Sequence, residues 1–232
     1  MTRSNFNREL QEVKDDVLLL GSMVEDAVMK SVKALMDNNL ERSRLVRKND
    51  VYINRKRYEI ELFIIRLIAK LQPAARDLRM LTTSLDISTE LERIGDYAKG
   101  ISNINIRSGG LGLPSILKDV YSMGQKSVDM FNRALSSYAD EDFQAAQRII
   151  QEDDLIDECY TRLYHDAVNN FLENARNIER ANYVIWAAHN LERLGDRVTN
   201  ICERVIYMVT GRIPESSLMI GQLKSLPHGS QE

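Results

Sequence analysis

The chain has 232 residues, 44% of them hydrophobic and 28% charged, with a formal net charge of -3 at pH 7. This composition supplies a hydrophobic core for one large domain or two small ones, and the near balance of charges argues against a general affinity for nucleic acid or anionic membranes. The charged N-terminus is unlike a secretion signal and no apolar run approaches the ~18 residues that cross a bilayer, which predicts a cytoplasmic protein.

Helical patterns dominate the chain, because only four prolines and eleven glycines interrupt it. Residues 37–39 form a polar turn, Pro73 suits the first turn of a helix, and Gly211 indicates a helix end. Residues 107–113 have the composition of a linker, and residues 212–232 that of a flexible tail. The pattern predicts six long helices, at residues 5–36, 39–71, 73–105, 114–137, 140–173 and 178–210.

A repeated hexapeptide indicates that the chain contains two copies of one unit. The sequence LERIGD at residues 91–96 returns as LERLGD at residues 191–196, and other matches lie 100 or 103 positions apart. The change from 100 to 103 predicts a slightly longer turn in the second copy. Each copy has three amphipathic helices, enough to close a bundle. We therefore predict an all-α fold of two tandem, pseudo-symmetric three-helix bundles, at residues 5–106 and 114–211.

Each copy carries a pair of carboxylates four residues apart. Glu92 and Asp96 form the first pair, and Glu192 and Asp196 form the second. On a helix this spacing places both side chains on one face, where two like charges cost roughly a few tenths of a kcal/mol. A bound cation is the simplest explanation for a repeated pair of this kind. The apolar stripes of both helices point elsewhere, so we expect the pairs at the edge of the bundle.

Further acids on neighbouring helices extend both pairs. Asp50 lies in an apolar row of the second helix, where an acid is costly unless it is paired or binds a metal. If neighbouring helices are antiparallel, Asp50 and Asn54 face the first pair, while Asp153 and Asp157 face the second. Such oxygen ligands suit Mg²⁺, Mn²⁺, Ca²⁺ or iron. The spacing alone fits a charged outer face of the bundle equally well.

Residues around these acids help to define the type of site. The first copy has neither histidine nor cysteine, and no histidine follows a glutamate at the spacing of a buried di-iron centre. His189 either flanks the second site or is an ordinary polar helix residue. Gly95 and Gly195 indicate close approach of another helix or of a ligand. Cys159 and Cys202 have neither zinc nor disulfide spacing, and we expect them to pack in the core of a reduced protein.

These motifs resemble the PhoU family of regulators of bacterial phosphate uptake. Besides the hexapeptides, the resemblance rests on QPAARDLR at residues 72–79, the D-x-x-I-N element that starts at Asp50, DDLID at residues 153–157 and VIYMVTG at residues 205–211. It spans about residues 5–211 and implies two similar three-helix bundles that bind metal ions through paired E/D-x-x-x-D motifs. Iron or zinc clusters are implied by the resemblance, and manganese or magnesium also suits the oxygen ligands.

Carried over residue by residue, the resemblance places metal ligands on both copies. Asn54 departs from the family pattern, because a second carboxylate there would complete the first D-x-x-x-D motif, and this leaves the first site one carboxylate short of that pattern. The four hexapeptide acids are the expected ligands and the acids of the neighbouring helices are their partners: Glu92, Asp96, Glu192 and Asp196, with Asp50, Asp153 and Asp157.

The same resemblance implies a regulatory protein rather than an enzyme. It implies a negative regulator of phosphate uptake and of the phosphate-starvation response. Such a protein is an adaptor between the ATPase of the phosphate ABC transporter and a sensor histidine kinase. It is expected to form a homodimer and to reach the membrane only through these partners.

Two other functions are compatible with parts of the sequence. The carboxylates alone allow a metal-dependent hydrolase or a metal-storage protein, since two-metal hydrolysis needs ions about 3.5–4 Å apart in an acidic site. Against hydrolysis, the sequence shows no nucleophile–base pair and no phosphate-binding glycine loop. The basic residues of the second helix suggest nucleic-acid binding, but acids interrupt them, so no nucleic-acid partner is expected.

Overall fold

The computed structural model describes residues 3–111, 114–173 and 178–212, and all the regular secondary structure in these ranges is helical. Residues 213–232, most of the predicted tail, and residues 112–113 of the predicted linker lie outside the described residues. The all-α prediction is confirmed. The described residues form seven helices: α1 (Arg3–Met36), α2 (Leu40–Leu71), α3 (Ala75–Ser108), α4 (Pro114–Ala139), α5 (Phe143–Ile150), α6 (Asp153–Glu173) and α7 (Ile178–Thr210).

The turn between the first two helices is built in the same way in each half of the chain. Asn39 caps α2 and Asp142 caps α5, and each side-chain oxygen accepts hydrogen bonds from backbone N–H groups of the following turn. Residues 37–39 and 140–142 separate the helices, so both turns have the same length. The prediction of a longer turn in the second half is wrong, and the extra residues lie before the turn, within α4.

The helix predicted at residues 140–173 is wrong as a single element, because α5 ends before α6 begins. Asp153 and Asp154 occupy the first turn of α6, where negative charge is favourable beside the free N–H groups of a helix start. Glu152 lies just outside that turn, and Arg133 of α4 holds it by two hydrogen bonds of 2.9 and 2.6 Å. This run of acids therefore favours a new helix start at a position where α2 is continuous.

The boundaries of α3 also differ from the prediction. The helix begins at Ala75, so Pro73 precedes it and does not occupy its first turn. It continues to Ser108 and includes the start of the predicted linker at residues 107–113. Gly109 follows in the left-handed conformation, with φ of 61°, which glycine adopts without the steric cost of a Cβ atom.

The helices form two bundles that pack along their long sides. The first half contains α1, α2 and α3, which pack against one another, and in the second half α7 packs against α4, α5 and α6. Because α3 also packs against α7, and α1 against α4, the buried residues of both halves form one hydrophobic core. Within the described ranges, no helix has both the length and the apolar character needed to cross a bilayer.

The contact between α3 and α7 is antiparallel and approximately twofold symmetric. Glu90 of α3 accepts a hydrogen bond of 3.3 Å from Asn200 of α7. Ten residues further along each helix, or about three turns, the backbone of Gly100 lies against the side chain of Asn190. The partner of Glu90 is thus the residue that matches Gly100 in the second copy, and the partner of Gly100 is the residue that matches Glu90, as a twofold axis requires.

Polar contacts join the two halves as well. Tyr138 of α4 is fully buried, and its hydroxyl lies 2.6 Å from the hydroxyl of Ser84 on α3. Burial raises the pKa of Tyr138, so the phenol stays neutral. Glu141 accepts hydrogen bonds from Lys14 at 2.6 Å and from Arg76 at 2.9 Å, and the hydrogen bond from Lys14 is the main reason that the pKa of Glu141 is lowered.

Candidate metal centre

The first acidic cluster, which comprises Asp50, Glu92 and Asp96, lies between α2 and α3 and contains a lysine. The ammonium of Lys99 donates a hydrogen bond of 2.7 Å to Oδ2 of Asp50 and lies 3.5 Å from Oδ1 of Asp96. Asp50 is only 6% exposed, and its other oxygen, Oδ1, is buried without a hydrogen-bond partner. The structure thus brings Asp50 to the hexapeptide acids, as predicted, and places a positive charge among them.

The electrostatics of the first acidic cluster reflect both burial and mutual repulsion. Burial raises the pKa of Glu92, and the charges of Asp96 and Asp50 raise it further, while Arg57 opposes the shift. Asn54 reaches Oδ2 of Asp50 only at 3.4 Å, a weak contact. Lys99 is therefore the principal hydrogen-bonding partner of the buried carboxylate.

The second acidic cluster comprises Asp153 and Asp157 of α6 with Glu192 and Asp196 of α7. Burial raises the pKa of Asp153 to about 6, and Asp157 and Asp196 are the next largest causes. The pKa values of Asp157 and Glu192 are also raised, first by burial and then by the charge of Asp196. The charge of Asp196 thus disfavours ionisation of the other three acids, and a bound cation relieves repulsion of this kind.

Two neighbours shape the second acidic cluster. Nδ1 of His189 lies 3.0 Å from Oε2 of Glu192, and the proximity of this ring opposes the rise in the pKa of Glu192. A Cβ atom on Gly195 would lie 2.9 Å from Oδ1 of Asp153, whereas one on Gly95 would meet only the side chain of Ile53, at 3.2 Å. Gly195 therefore leaves room for a carboxylate, and Gly95 for the packing of α2 on α3.

The two clusters do not fit a metal ion equally well. Carboxylate oxygens are suitable ligands for hard cations, and the second acidic cluster offers four carboxylates whose charges repel. The first acidic cluster fits less well, because the Lys99 ammonium already contacts two of its carboxylates. Within the described ranges no three His, Cys, Asp or Glu side chains converge on one point, so coordination would require the carboxylates to turn towards a common centre.

Other polar residues near the hexapeptides contact the rest of the protein. Arg93 pairs with Glu90 of its own helix at 2.8 Å, and the guanidinium of Arg193 lies 4.9 Å from the ring centroid of Tyr97 across the α3–α7 contact. Asn200, one turn beyond Asp196, donates to Glu90 of α3. These contacts assign packing roles to the two hexapeptide arginines and to Asn200.

Lys99 is the residue that sequence reasoning missed. Its spacing of three from Asp96 and the replacement of lysine by Thr199 in the second copy were the available signals. Cys159 and Cys202 are buried in the hydrophobic core, as predicted.

Comparisons with known proteins support the duplication and the resemblance. The family model described as the PhoU domain matches residues 17–104 and again residues 120–205. The phosphate-specific transport system accessory protein PhoU homolog of Clostridium acetobutylicum is 34% identical over 213 residues, which cover 91% of this chain and 97% of that protein. The phosphate-specific transport system accessory protein PhoU of Escherichia coli K12 is 30% identical over 207 residues, 89% of this chain and 86% of that protein.

Solved structures show the same fold. The crystal structure of PhoU from Pseudomonas aeruginosa matches with a TM-score of 0.84 and 35% identity, over 89% of this chain and 100% of that chain. The phosphate transport system regulatory protein PhoU from Streptococcus pneumoniae matches with a TM-score of 0.82 and 28% identity, over 90% of this chain and 99% of that chain. Both the sequence resemblance and the predicted fold are confirmed, and the chain belongs to the PhoU family.

Proposed function

We propose that the chain is an accessory regulator of phosphate transport that binds a metal ion at the second acidic cluster. The relatives that match most of its length are named as accessory or regulatory proteins of phosphate transport. The observation that carries the metal assignment is the grouping of four carboxylates between α6 and α7, with the pKa of Asp153 raised to about 6.

The residues of the second acidic cluster would hold the ion between two helices. Asp153 and Asp157 come from α6, Glu192 and Asp196 from α7, so a shared ion would link α6 to the helix that contacts the first half. The ion supplies positive charge that offsets carboxylate repulsion. Iron, zinc, manganese and magnesium are the candidates, and a manganese or iron ion suits a site with four oxygen ligands.

The regulator acts by contact rather than by catalysis in this proposal. Its partners are the ATPase of the phosphate ABC transporter and a sensor histidine kinase, which it links in the cytoplasm as a homodimer. The outer face of α2 supports a docking role, because Tyr58 and Leu62 are 58% and 60% exposed there, and apolar side chains exposed together favour protein contacts. When phosphate is plentiful, the bound adaptor keeps the kinase from signalling and restrains uptake.

A complementation experiment tests the regulatory proposal. A strain that lacks the gene carries a phosphate-starvation reporter and receives the wild-type chain, the Asp153→Ala/Glu192→Ala variant or a Glu158→Ala control. Glu158 is an exposed carboxylate of the same helix. We expect the wild type and the control to repress the reporter in rich phosphate and the double variant to fail while it accumulates to the same level.

Two results would contradict the proposal. Repression by the double variant equal to that of wild type would exclude a regulatory role for the second acidic cluster, and a deletion strain that still represses the reporter would exclude regulation by this chain. Hydrolysis of phosphate esters by the purified protein with Mn²⁺ or Fe²⁺, lost in the double variant, would instead favour the metal-dependent hydrolase.

A further inference from the structure

The two acidic clusters differ at matched positions, one of which is His189, beside Glu192, where the first copy has Thr89. Two other positions change the formal charge of the cluster. Lys99 of α3 corresponds to Thr199 of α7, and Asn54 of α2 corresponds to Asp157 of α6. The first acidic cluster therefore combines three carboxylates with one ammonium, whereas the second has four carboxylates and a threonine. Each of these two differences makes the first cluster less negative, although both clusters are built on the same hexapeptide.

The ammonium of Lys99 lies where a cation would serve the first acidic cluster. It contacts Oδ2 of Asp50 on α2 at 2.7 Å and is 3.5 Å from Oδ1 of Asp96 on α3, so it joins carboxylates from two helices. The three N–H donors of an ammonium suit such a position, and a second cation beside it would be repelled. In the second half, the hydroxyl of Thr199 donates to the backbone carbonyl of Asp196 at 2.8 Å and supplies no charge.

Asp50 explains why the first half needs a cation that is always present. Its side chain lies in the buried row of α2 with Val46 and Ile53, and a buried carboxylate without a positive partner is strongly unfavourable. The hydrogen bond to Asp50 raises the pKa of Lys99, which keeps the amine charged at physiological pH. Because Lys99 is part of the chain, its positive charge lies beside Asp50 whether or not metal ions are available.

We propose that Lys99 takes the place of a metal ion in the first half, so that the chain binds metal only at the second acidic cluster. This inference rests on the proposed metal-binding function, and it replaces the prediction of metal ligands at Asp50, Glu92 and Asp96. The first half then keeps a fixed charge balance, and only the second half responds to the metal content of the cell.

Exchange of the two matched residues tests this inference directly. Mn²⁺ binding is measured by isothermal titration and by metal analysis after dialysis, on the full chain and on the variants Lys99→Thr and Thr199→Lys. The Asp153→Asn/Glu192→Gln variant is expected to bind no Mn²⁺, and the control Glu92→Gln is expected to bind as much Mn²⁺ as the wild type. We expect Lys99→Thr to bind about twice as much Mn²⁺ as wild type, and Thr199→Lys to bind at least tenfold more weakly.

The outcomes separate this inference from the proposed function. If Glu92→Gln binds only half as much Mn²⁺ as the wild type, the inference is overturned and metal binding at the second acidic cluster is left intact. The same holds if Lys99→Thr binds no more Mn²⁺ than the wild type. Wild-type protein without Mn²⁺ would overturn metal binding at the second acidic cluster, but a gain in Lys99→Thr would still support the role of the lysine. If Lys99→Thr unfolds without metal, refolding with added Mn²⁺ supports the inference and failure to refold counts against it.

Discussion

Replacement of Asp153 by asparagine is expected to stabilise the metal-free protein at neutral pH. Burial, followed by the charges of Asp157 and Asp196, raises the pKa of Asp153 from 3.8 to about 6. One pKa unit corresponds to about 1.4 kcal/mol, so ionisation of Asp153 costs about 3 kcal/mol more in the folded protein than in the unfolded chain. Asparagine has a similar shape and no charge. We expect a gain of about 1–3 kcal/mol at pH 7, the lower value allowing for solvent screening and for the lost interaction of the charge with the start of α6.

The same shift determines how stability depends on pH. Because the pKa is raised in the folded protein, the folded state binds more protons than the unfolded state between about pH 4 and pH 6. The contribution of Asp153 to the free energy of unfolding is therefore fully present below about pH 4 and is lost as the pH rises through about 6. The Asp153→Asn variant lacks this loss, so wild type and variant should agree in stability near pH 3.5, roughly below both pKa values, and separate towards pH 7.

Asp50 provides the matched control, because it occupies the corresponding position of the first half. Lys99 donates to its carboxylate at 2.7 Å, so Asp50→Asn removes an attractive contact and is expected to destabilise the protein by about 1–3 kcal/mol. Urea unfolding in EDTA between pH 3.5 and 8, followed by circular dichroism, measures both variants. The reasoning is refuted if Asp153→Asn destabilises the protein at pH 7, or if its gain is the same at pH 3.5 as at pH 7.

Three further substitutions test other contacts. Gly195→Ala brings a Cβ atom to 2.9 Å from Oδ1 of Asp153 and should weaken Mn²⁺ binding at least tenfold in a titration, with unchanged affinity arguing against the close approach. Tyr138→Phe removes the 2.6 Å contact with Ser84 and should lower the free energy of urea unfolding by about 1 kcal/mol, and an unaltered midpoint would contradict this. Glu141→Gln should cost about 0.5–1 kcal/mol at pH 7. Because the pKa of Glu141 is lowered from 4.5, chiefly by the hydrogen bond from Lys14, that cost should decrease as the pH falls from 4.5 through the lowered pKa, and a cost that does not change on acidification would rule out the ionic contribution.

The repeated hexapeptide explains why the fold could be predicted from the sequence. Identical residues 100 positions apart, including Leu91 and Leu191, require equivalent surroundings, and both leucines are fully buried in the shared core. The division between α5 and α6 could not be predicted in the same way, because it depends on the contact of Glu152 with Arg133 of another helix. Helical periodicity is a local property and carries no information on that contact.

The candidate site shows a similar limit. The acids of α3 and α7 could be assigned to one helix face from their spacing, and Asp50 could be assigned to the neighbouring helix from its place in an apolar row. That Lys99 reaches Asp50, 49 positions away, depends on how α2 and α3 are aligned. That Asp153 approaches the backbone of Gly195 likewise depends on the distance between α6 and α7, which the sequence does not specify.

The duplication allows each half to serve as a reference for the other. Both hexapeptides occupy the α3–α7 contact, and the matched residues Asp50 and Asp153 each lie near the acids of one hexapeptide, although only Asp153 lies against the hexapeptide glycine. Lys99 and Asn54 both make the first acidic cluster less negative, although they lie on different helices. One of these two residues alone would not balance the charge of the first acidic cluster, because with Asn54 but without Lys99 the buried Asp50 would have no cation beside it. Under the proposed metal assignment, the two changes together give a half that needs no metal, packed through one core against a half that binds one, so metal occupancy would alter only the second half.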